Sequence, residues 1–191
     1  MHSEVTFAGF GGQGVMLAGK ILAHAGLDEG HEVVWLPSYG PEMRGGTAYC
    51  NVVISDKPIG SPIFAAPAAV VVMNRPSLDK FASRVKAGGL LIINSSLIDA
   101  TSDRTDIAVV RVPCNEVAAD LGSPKAANIV ALGAYCGCTK AVTFESVKHL
   151  VKETFGHKPQ LLDLNYKTLE RGWQLGEEGV AAAKKKSGEK K

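Results

Sequence analysis

Short β-branched runs alternate with longer Ala-rich stretches along this 191-residue chain, and two of the runs decide the architecture. Ala69 to Asn74 and Leu90 to Asn94 are apolar up to their closing asparagines. A strand with one wet face alternates polar and apolar side chains; a run without alternation is buried on both faces, as in a parallel sheet covered by helices. The predicted fold is therefore α/β, a single domain whose mainly parallel, Rossmann-like sheet has helices on both faces. Glu4 to Ala8 is the first strand and Val15 to Gly26 the helix after it. His31 to Leu36 follows as a strand expected to lie beside the first and parallel to it. Thr47 to Ser55 alternates as a half-exposed strand and adds an antiparallel extension.

Pro76 to Lys86 reads as the helix between the two apolar strands, with Pro76 in its first turn and Gly88-Gly89 closing it. Ile107 to Val112 is a fourth parallel strand. Ala126 to Cys138, Thr143 to Phe155 with a Thr cap, and Leu169 to Glu178 after Asn165 are helices.

With 46% hydrophobic and 21% charged residues, and 21 glycines spread along the chain, collagen, coiled coil and whole-chain disorder are excluded. The formal charge of +2 hides a division: Val180 to Lys191 holds five lysines and one glutamate, leaving −2 on the remainder. That remainder makes no case for a nucleic-acid partner. The last stretch has no apolar stripe, so residues 1–179 are read as the domain and 180–191 as a disordered Lys-rich tail. No apolar run reaches the roughly 18 residues needed to cross a bilayer. Met1-His2-Ser3-Glu4 lacks the parts of a signal peptide, so a cytoplasmic location without membrane contact is expected.

Cys50, Cys114, Cys136 and Cys138 fit neither a disulfide framework nor a cluster-binding or zinc series, and the Cys136-Gly-Cys138 pair reads as small residues on a buried helix. His2, His24, His31, His149 and His157 read as solvated or capping, and no nucleophile–base pair is visible. No catalytic residue and no metal ligand is assigned.

Chemistry enters at Gly9-Phe10-Gly11-Gly12-Gln13-Gly14, between the first strand and the first helix. The spacing G-x-G-x-x-G gives a tight turn, close backbone approach, and an anion site at a helix N-terminus. It serves equally to let the helix pack tightly on the strand. Dinucleotide binding also needs a carboxylate at the end of the second strand, which here ends Val34-Trp35-Leu36-Pro37-Ser38 without one. The second signal is the loop after that strand: Tyr39, Gly40, Pro41, Glu42, Met43, Arg44, Gly45 and Gly46. It gathers an aromatic, a carboxylate and a guanidinium in six residues, either as a binding loop at the carboxyl edge or as a surface ion pair.

These two strings, with Ser55-Asp56-Lys57-Pro58-Ile59-Gly60-Ser61-Pro62, Ile92-Ile93-Asn94-Ser95, Lys125 to Gly133 and Leu164-Asn165, closely resemble the gamma subunit of the 2-oxoacid:ferredoxin oxidoreductases, and the 2-oxoglutarate type most. The resemblance runs from Val5 to about Gly176. It implies the gamma-domain fold in a complex that uses thiamine diphosphate and iron–sulfur clusters, decarboxylates a 2-oxoacid, reduces ferredoxin and makes an acyl-coenzyme A. It places those cofactors in other subunits and none in this chain alone. The implied partners are alpha, beta and delta subunits, and ferredoxin through the complex; an isolated gamma chain is expected to dimerise through its exposed apolar surface. The implied coenzyme A contacts are Gly11, Gly12, Gln13, Gly14 and Tyr39 to Gly46. Arg44 and the helix N-terminus suit a diphosphate and equally a partner's carboxylate. Asn94 and Asn128 are caps, or polar contacts near that site. A free-standing nucleotide enzyme and a ligand-free interaction module are the competing readings.

Overall fold

The computed structural model describes residues 1–38, 47–61 and 63–188. In chain order the elements are β1 (His2–Gly9), α1 (Val15–Asp28), β2 (Glu32–Pro37), β3 (Ala48–Ser55), β4 (Ala69–Val72), α2 (Arg75–Phe81), β5 (Leu90–Asn94), β6 (Ala108–Val112), α3 (Cys114–Asp120), α4 (Ala127–Thr139), α5 (Phe144–Phe155) and α6 (Pro159–Gly188). The strands form one sheet in the order β2-β3-β1-β4-β5-β6. Pairing is parallel from β1 through β6 and antiparallel at β1–β3 and β2–β3.

One expected pairing does not occur. β1 and β2 point the same way but are not neighbours, because β3 fills the slot between them. The connection from β2 turns directly back, and β3 pairs with all eight residues of β1, from His2↔Ser55 to Gly9↔Ala48. The antiparallel strand is thus internal to the sheet rather than an extension of it, and it is buried accordingly, with Val52 to Ser55 all inaccessible.

Alternation along the strands divides the core. Val5, Phe7, Cys50, Val52, Ile54, Val71, Ile92 and Val110 face the layer of α1, α4 and α6, while Ala8, Val70, Val72, Leu91 and Ile93 face α2. α5 packs outside the first layer against α1 and α6. Three elements differ from expectation. α2 stops at Phe81 rather than Lys86, and a 3-10 turn, Ala82–Arg84, takes the place of its last turn. α3 has only seven residues, too few for a helical period to show. α6 begins ten residues before the expected Leu169 and continues through the Lys-rich stretch to Gly188, with Asn165 inside it rather than before it. Alanine and lysine are strong helix formers, and a helix already anchored in the core propagates through them without an apolar stripe.

α4 and α6 meet backbone to backbone. A Cβ on Gly133 or Gly137 would overlap the carbonyl of Leu169 or Trp173, and one on Gly172 or Gly176 the carbonyl of Val130 or Ala134. Four helical glycines cost about 1 kcal/mol each in propensity; here they let two helices touch directly. Gly137→Ala and Gly172→Ala should each lower urea-unfolding stability by about 1–3 kcal/mol through overpacking, despite alanine's better helix propensity. Gly60→Ala, into open space, should stay within about 0.5 kcal/mol of wild type.

At the amino edge of the sheet, Glu29 joins α1 to α5: its Oε1 accepts from the Thr143 N–H at 2.7 Å and from the Thr143 hydroxyl at 2.8 Å. Burial alone would raise the Glu29 pKa, but Ser146, Thr143 and neighbouring His31 outweigh it and hold the carboxyl below its ordinary value. A group depressed in the folded state stabilises above its unfolded pKa, about 4.3, and loses that contribution as pH falls through the folded value. Glu29→Gln should therefore lower the melting temperature at pH 7 and converge on wild type once pH has fallen through the depressed folded-state pKa of Glu29.

Candidate functional site at the carboxyl edge

Five strands, β1, β2, β4, β5 and β6, end at one edge of the sheet, and β3 begins there. In an open α/β sheet this edge receives ligands. The loop Phe10–Gly14 leaves β1 here. Ser38, bonded through its N–H to the Tyr49 carbonyl at 2.8 Å, leaves β2 at the same edge. Tyr39, Gly40, Pro41, Glu42, Met43, Arg44, Gly45 and Gly46 lie outside the described residues. Because β3 intervenes, the two loops start two strand spacings apart, about 10 Å.

The glycines of the first loop are needed for different reasons. A Cβ on Gly9 would lie 2.8 Å from Gln13 Oε1 and 3.0 Å from Met73 Cβ. Gly14 has φ +74° and faces Asn128 Nδ2, which a Cβ would meet at 2.6 Å. Gly12 has φ +91°, a backbone that L side chains rarely adopt. Gly11 has ordinary φ and nothing within 4 Å of a built Cβ. Among the described residues nothing requires glycine at position 11. Close approach of a group from outside would.

Gln13 folds back over the loop. Its Oε1 accepts from the Phe10 N–H at 2.6 Å and from Asn74 Nδ2 at 3.2 Å, while its Nε2 donates to the Met73 carbonyl at 3.1 Å. Both heteroatoms are spent on the protein itself, so the structure brings Gln13 to the edge as a brace for the loop. Asn128 Nδ2 donates to the Gly14 carbonyl at 3.2 Å, tying the start of α4 to the start of α1. Among the described residues the amides of Gly11 and Gly12 have no partner.

The helices that begin at this edge differ in how they are closed. α2 is capped by Asn74, whose side chain accepts from the Ser77 N–H. α3 is closed from β5: Asn94 Oδ1 accepts from the Cys114 N–H at 3.1 Å, and Ser96 Oγ from the Asn115 and Glu116 N–H groups. α1 and α4 have neither a side-chain cap nor an acid in the first turn. α4 continues directly from a 3-10 turn, Pro124–Ala126, whose Ala126 is buried, so the partial positive end open to an anion is that of α1. Of the two asparagines singled out in the sequence, Asn94 is a cap for α3, and Asn128 sits inside the first turn of α4 with its amide on the glycine loop.

Two cysteines lie under this edge without offering an exposed thiol: Cys114 opens α3, and Cys50 Sγ donates to the Val15 carbonyl at 3.4 Å. Cys50, Cys114 and Cys136 are buried and Cys138 partly exposed; burial pushes the thiols of Cys50, Cys114 and Cys138 up to about 12 and that of Cys136 higher. The helical reading of Cys136 and Cys138 holds, both lying on α4. His31 lies at the opposite edge, with Nδ1 2.9 Å from Asp56 Oδ1. Among the described residues no three His, Cys, Asp or Glu side chains converge as metal ligands, and no helix is long and apolar enough to cross a membrane.

The family model for pyruvate ferredoxin/flavodoxin oxidoreductase matches residues 4–175. The chain belongs to that family. It is 33% identical over 181 residues to the 2-oxoglutarate synthase subunit KorC of Methanocaldococcus jannaschii, covering 93% of this chain and 96% of that one. It is 41% identical over 171 residues to the ketoisovalerate oxidoreductase subunit VorA of Methanothermobacter marburgensis, covering 88% of this chain but only 35% of the relative. The chain thus spans about a third of the length of the VorA relatives it matches. Among solved structures, the gamma subunit of a keto/oxoacid ferredoxin oxidoreductase from Geobacter sulfurreducens superposes with a TM-score of 0.80 at 31% identity, over 91% of this chain and 98% of that one.

Within this family fold, sequence reading overlooked Asn74 and the Met73 carbonyl. The available signal was positional: both continuously apolar strands close on an asparagine, Asn74 and Asn94. The geometry also separates the glycines experimentally. Gly14→Ala should cost at least the roughly 1–2 kcal/mol of a left-handed alanine and disturb Asn128, whereas Gly11→Ala should leave the urea midpoint nearly unchanged; equal losses at both positions would contradict the assignment.

Proposed function

We propose that this chain is the gamma subunit of a thiamine diphosphate-dependent 2-oxoacid:ferredoxin oxidoreductase, which oxidatively decarboxylates a 2-oxoacid, reduces ferredoxin and makes the acyl-coenzyme A. The observation that carries the reading is Gly11: among the described residues, a glycine without structural cause, in a loop whose Gly11 and Gly12 amides have no partner, at an uncapped helix start. Correspondence with the KorC subunit over 93% of this chain and 96% of that one supports a gamma subunit of this kind and favours 2-oxoglutarate as the oxoacid. Relatives named for ketoisovalerate and pyruvate belong to the same family range.

In this reading the chain is non-catalytic and contributes assembly and part of the coenzyme A site. Thiamine diphosphate and the iron–sulfur clusters belong to the alpha, beta and delta partners, and ferredoxin meets the complex rather than this chain alone. The amides of Gly11 and Gly12, with the Tyr39 to Gly46 loop and Arg44 in particular, would take the coenzyme A diphosphate, for which a cleft of backbone N–H groups at a helix start is chemically suited. The complex works in the cytoplasm, and the isolated chain pairs with a second copy through apolar side chains left exposed, such as Phe10 and Leu97.

The test is reconstitution. The purified chain should show no oxidoreductase activity and no visible chromophore, and turnover should appear only with its partner subunits. In that complex Gly11→Val or Arg44→Ala should raise the coenzyme A KM or weaken assembly by roughly 10- to 150-fold, the range of a lost charged hydrogen bond, with the melting temperature of the chain unchanged. A stoichiometric flavin or cluster in the isolated chain, or wild-type assembly and kinetics in both variants, would contradict the reading.

A further inference from the structure

The hydrogen-bond chain at the base of the glycine loop has a single possible polarity. The Phe10 N–H can only donate, so the oxygen of Gln13 must face it; the Met73 carbonyl can only accept, so the nitrogen of Gln13 must face that. Asn74 then has to present its nitrogen to Gln13 Oε1, at 3.2 Å, and its oxygen to the Ser77 N–H, at 2.8 Å. No carboxamide in the chain can flip without breaking a bond to the backbone. Asn74 is 3% exposed, so a donor or acceptor stranded there has little water to turn to.

We propose that Asn74 is a positioning residue for the carboxyl-edge site: its one carboxamide, shared between the cap of α2 and Gln13, holds the Phe10–Gly14 loop in the shape that leaves the Gly11 and Gly12 amides free for the ligand. Asn74 itself does not touch the ligand. It acts through Gln13, whose carboxamide crosses the α-carbon of Gly9 and fastens Phe10. A loop held in its binding shape before the ligand arrives loses less entropy on binding, so release of the brace weakens affinity without removing any contact. This inference rests on the reading of the loop as the coenzyme A diphosphate site, and it extends that site to a residue on a different strand.

Two substitutions separate the brace from the cap. Asn74→Ser and Asn74→Asp both keep a competent N-cap for α2. Serine is too short to reach Gln13, and aspartate faces Gln13 Oε1 with a second acceptor. In the reconstituted complex both variants should raise the coenzyme A KM by about five- to tenfold, the range of one hydrogen bond, with kcat within twofold. In the purified chain both should speed hydrogen exchange at the Phe10 amide while the α2 amides exchange as in wild type. Gly11→Val in the same complex is the reference for the site itself. A raised KM in Gly11→Val with wild-type KM and Phe10 exchange in both Asn74 variants would overturn the brace alone. A raised KM in Asn74→Asp but not in Asn74→Ser would assign the effect to charge and overturn it as well. Indifference of the coenzyme A KM to Gly11→Val would remove the site, and the positioning role with it.

Discussion

The backbone contact between α4 and α6 sets where the covered face of the sheet carries its helices, and through them where the glycine loop sits. Gly133 and Gly137 on one helix face Gly172 and Gly176 on the other, so their separation is fixed by main-chain atoms rather than adjustable side chains. α4 is almost wholly buried beyond this contact, with Tyr135 inaccessible, edge-on to Phe7 of β1 and bonded through its hydroxyl to Ser3. The first turn of the same helix presents Asn128 to the Gly14 carbonyl. A shift of α4 would therefore pull directly on the start of α1.

The loop is held from the sheet side as well, by Gln13 on Met73 and Asn74. Two rigid supports, a helix locked by glycines and the end of a central strand, converge on five residues. What they leave free is the amide side of Gly11 and Gly12. The helix starts at this edge differ: α2 and α3 have their first amides satisfied by Asn74, Asn94 and Ser96, α4 is entered through a 3-10 turn, and α1 starts uncapped.

Much of this was legible in the sequence because burial on two faces leaves a plain trace. The apolar runs at Ala69 and Leu90 placed the central strands, and the strand–glycine–helix order placed the loop. Strand order was not legible at β3: a two-way choice between a parallel neighbour and a returning hairpin depends on pairing partners, which alternation does not encode. The α4–α6 contact was missed because its glycines lie about 40 residues apart, and neither pair signals a helix contact until both are seen in space. The place of Gln13 in the motif points to a ligand contact; its carboxamide also holds the loop, bonded to Phe10, Met73 and Asn74. Long-range hydrogen bonding of that kind has no local sequence signature.

The central claim is that the carboxyl edge between α1 and α4 is the ligand-facing surface of this family member. The most direct measurement is hydrogen exchange on the assembled complex with and without coenzyme A, read for peptides across this chain. The account predicts that coenzyme A slows exchange of the amides from Phe10 to Leu17, while those of the α4–α6 contact exchange equally slowly in both states. Unchanged exchange from Phe10 to Leu17, with coenzyme A protection confined to other parts of the complex, would contradict it.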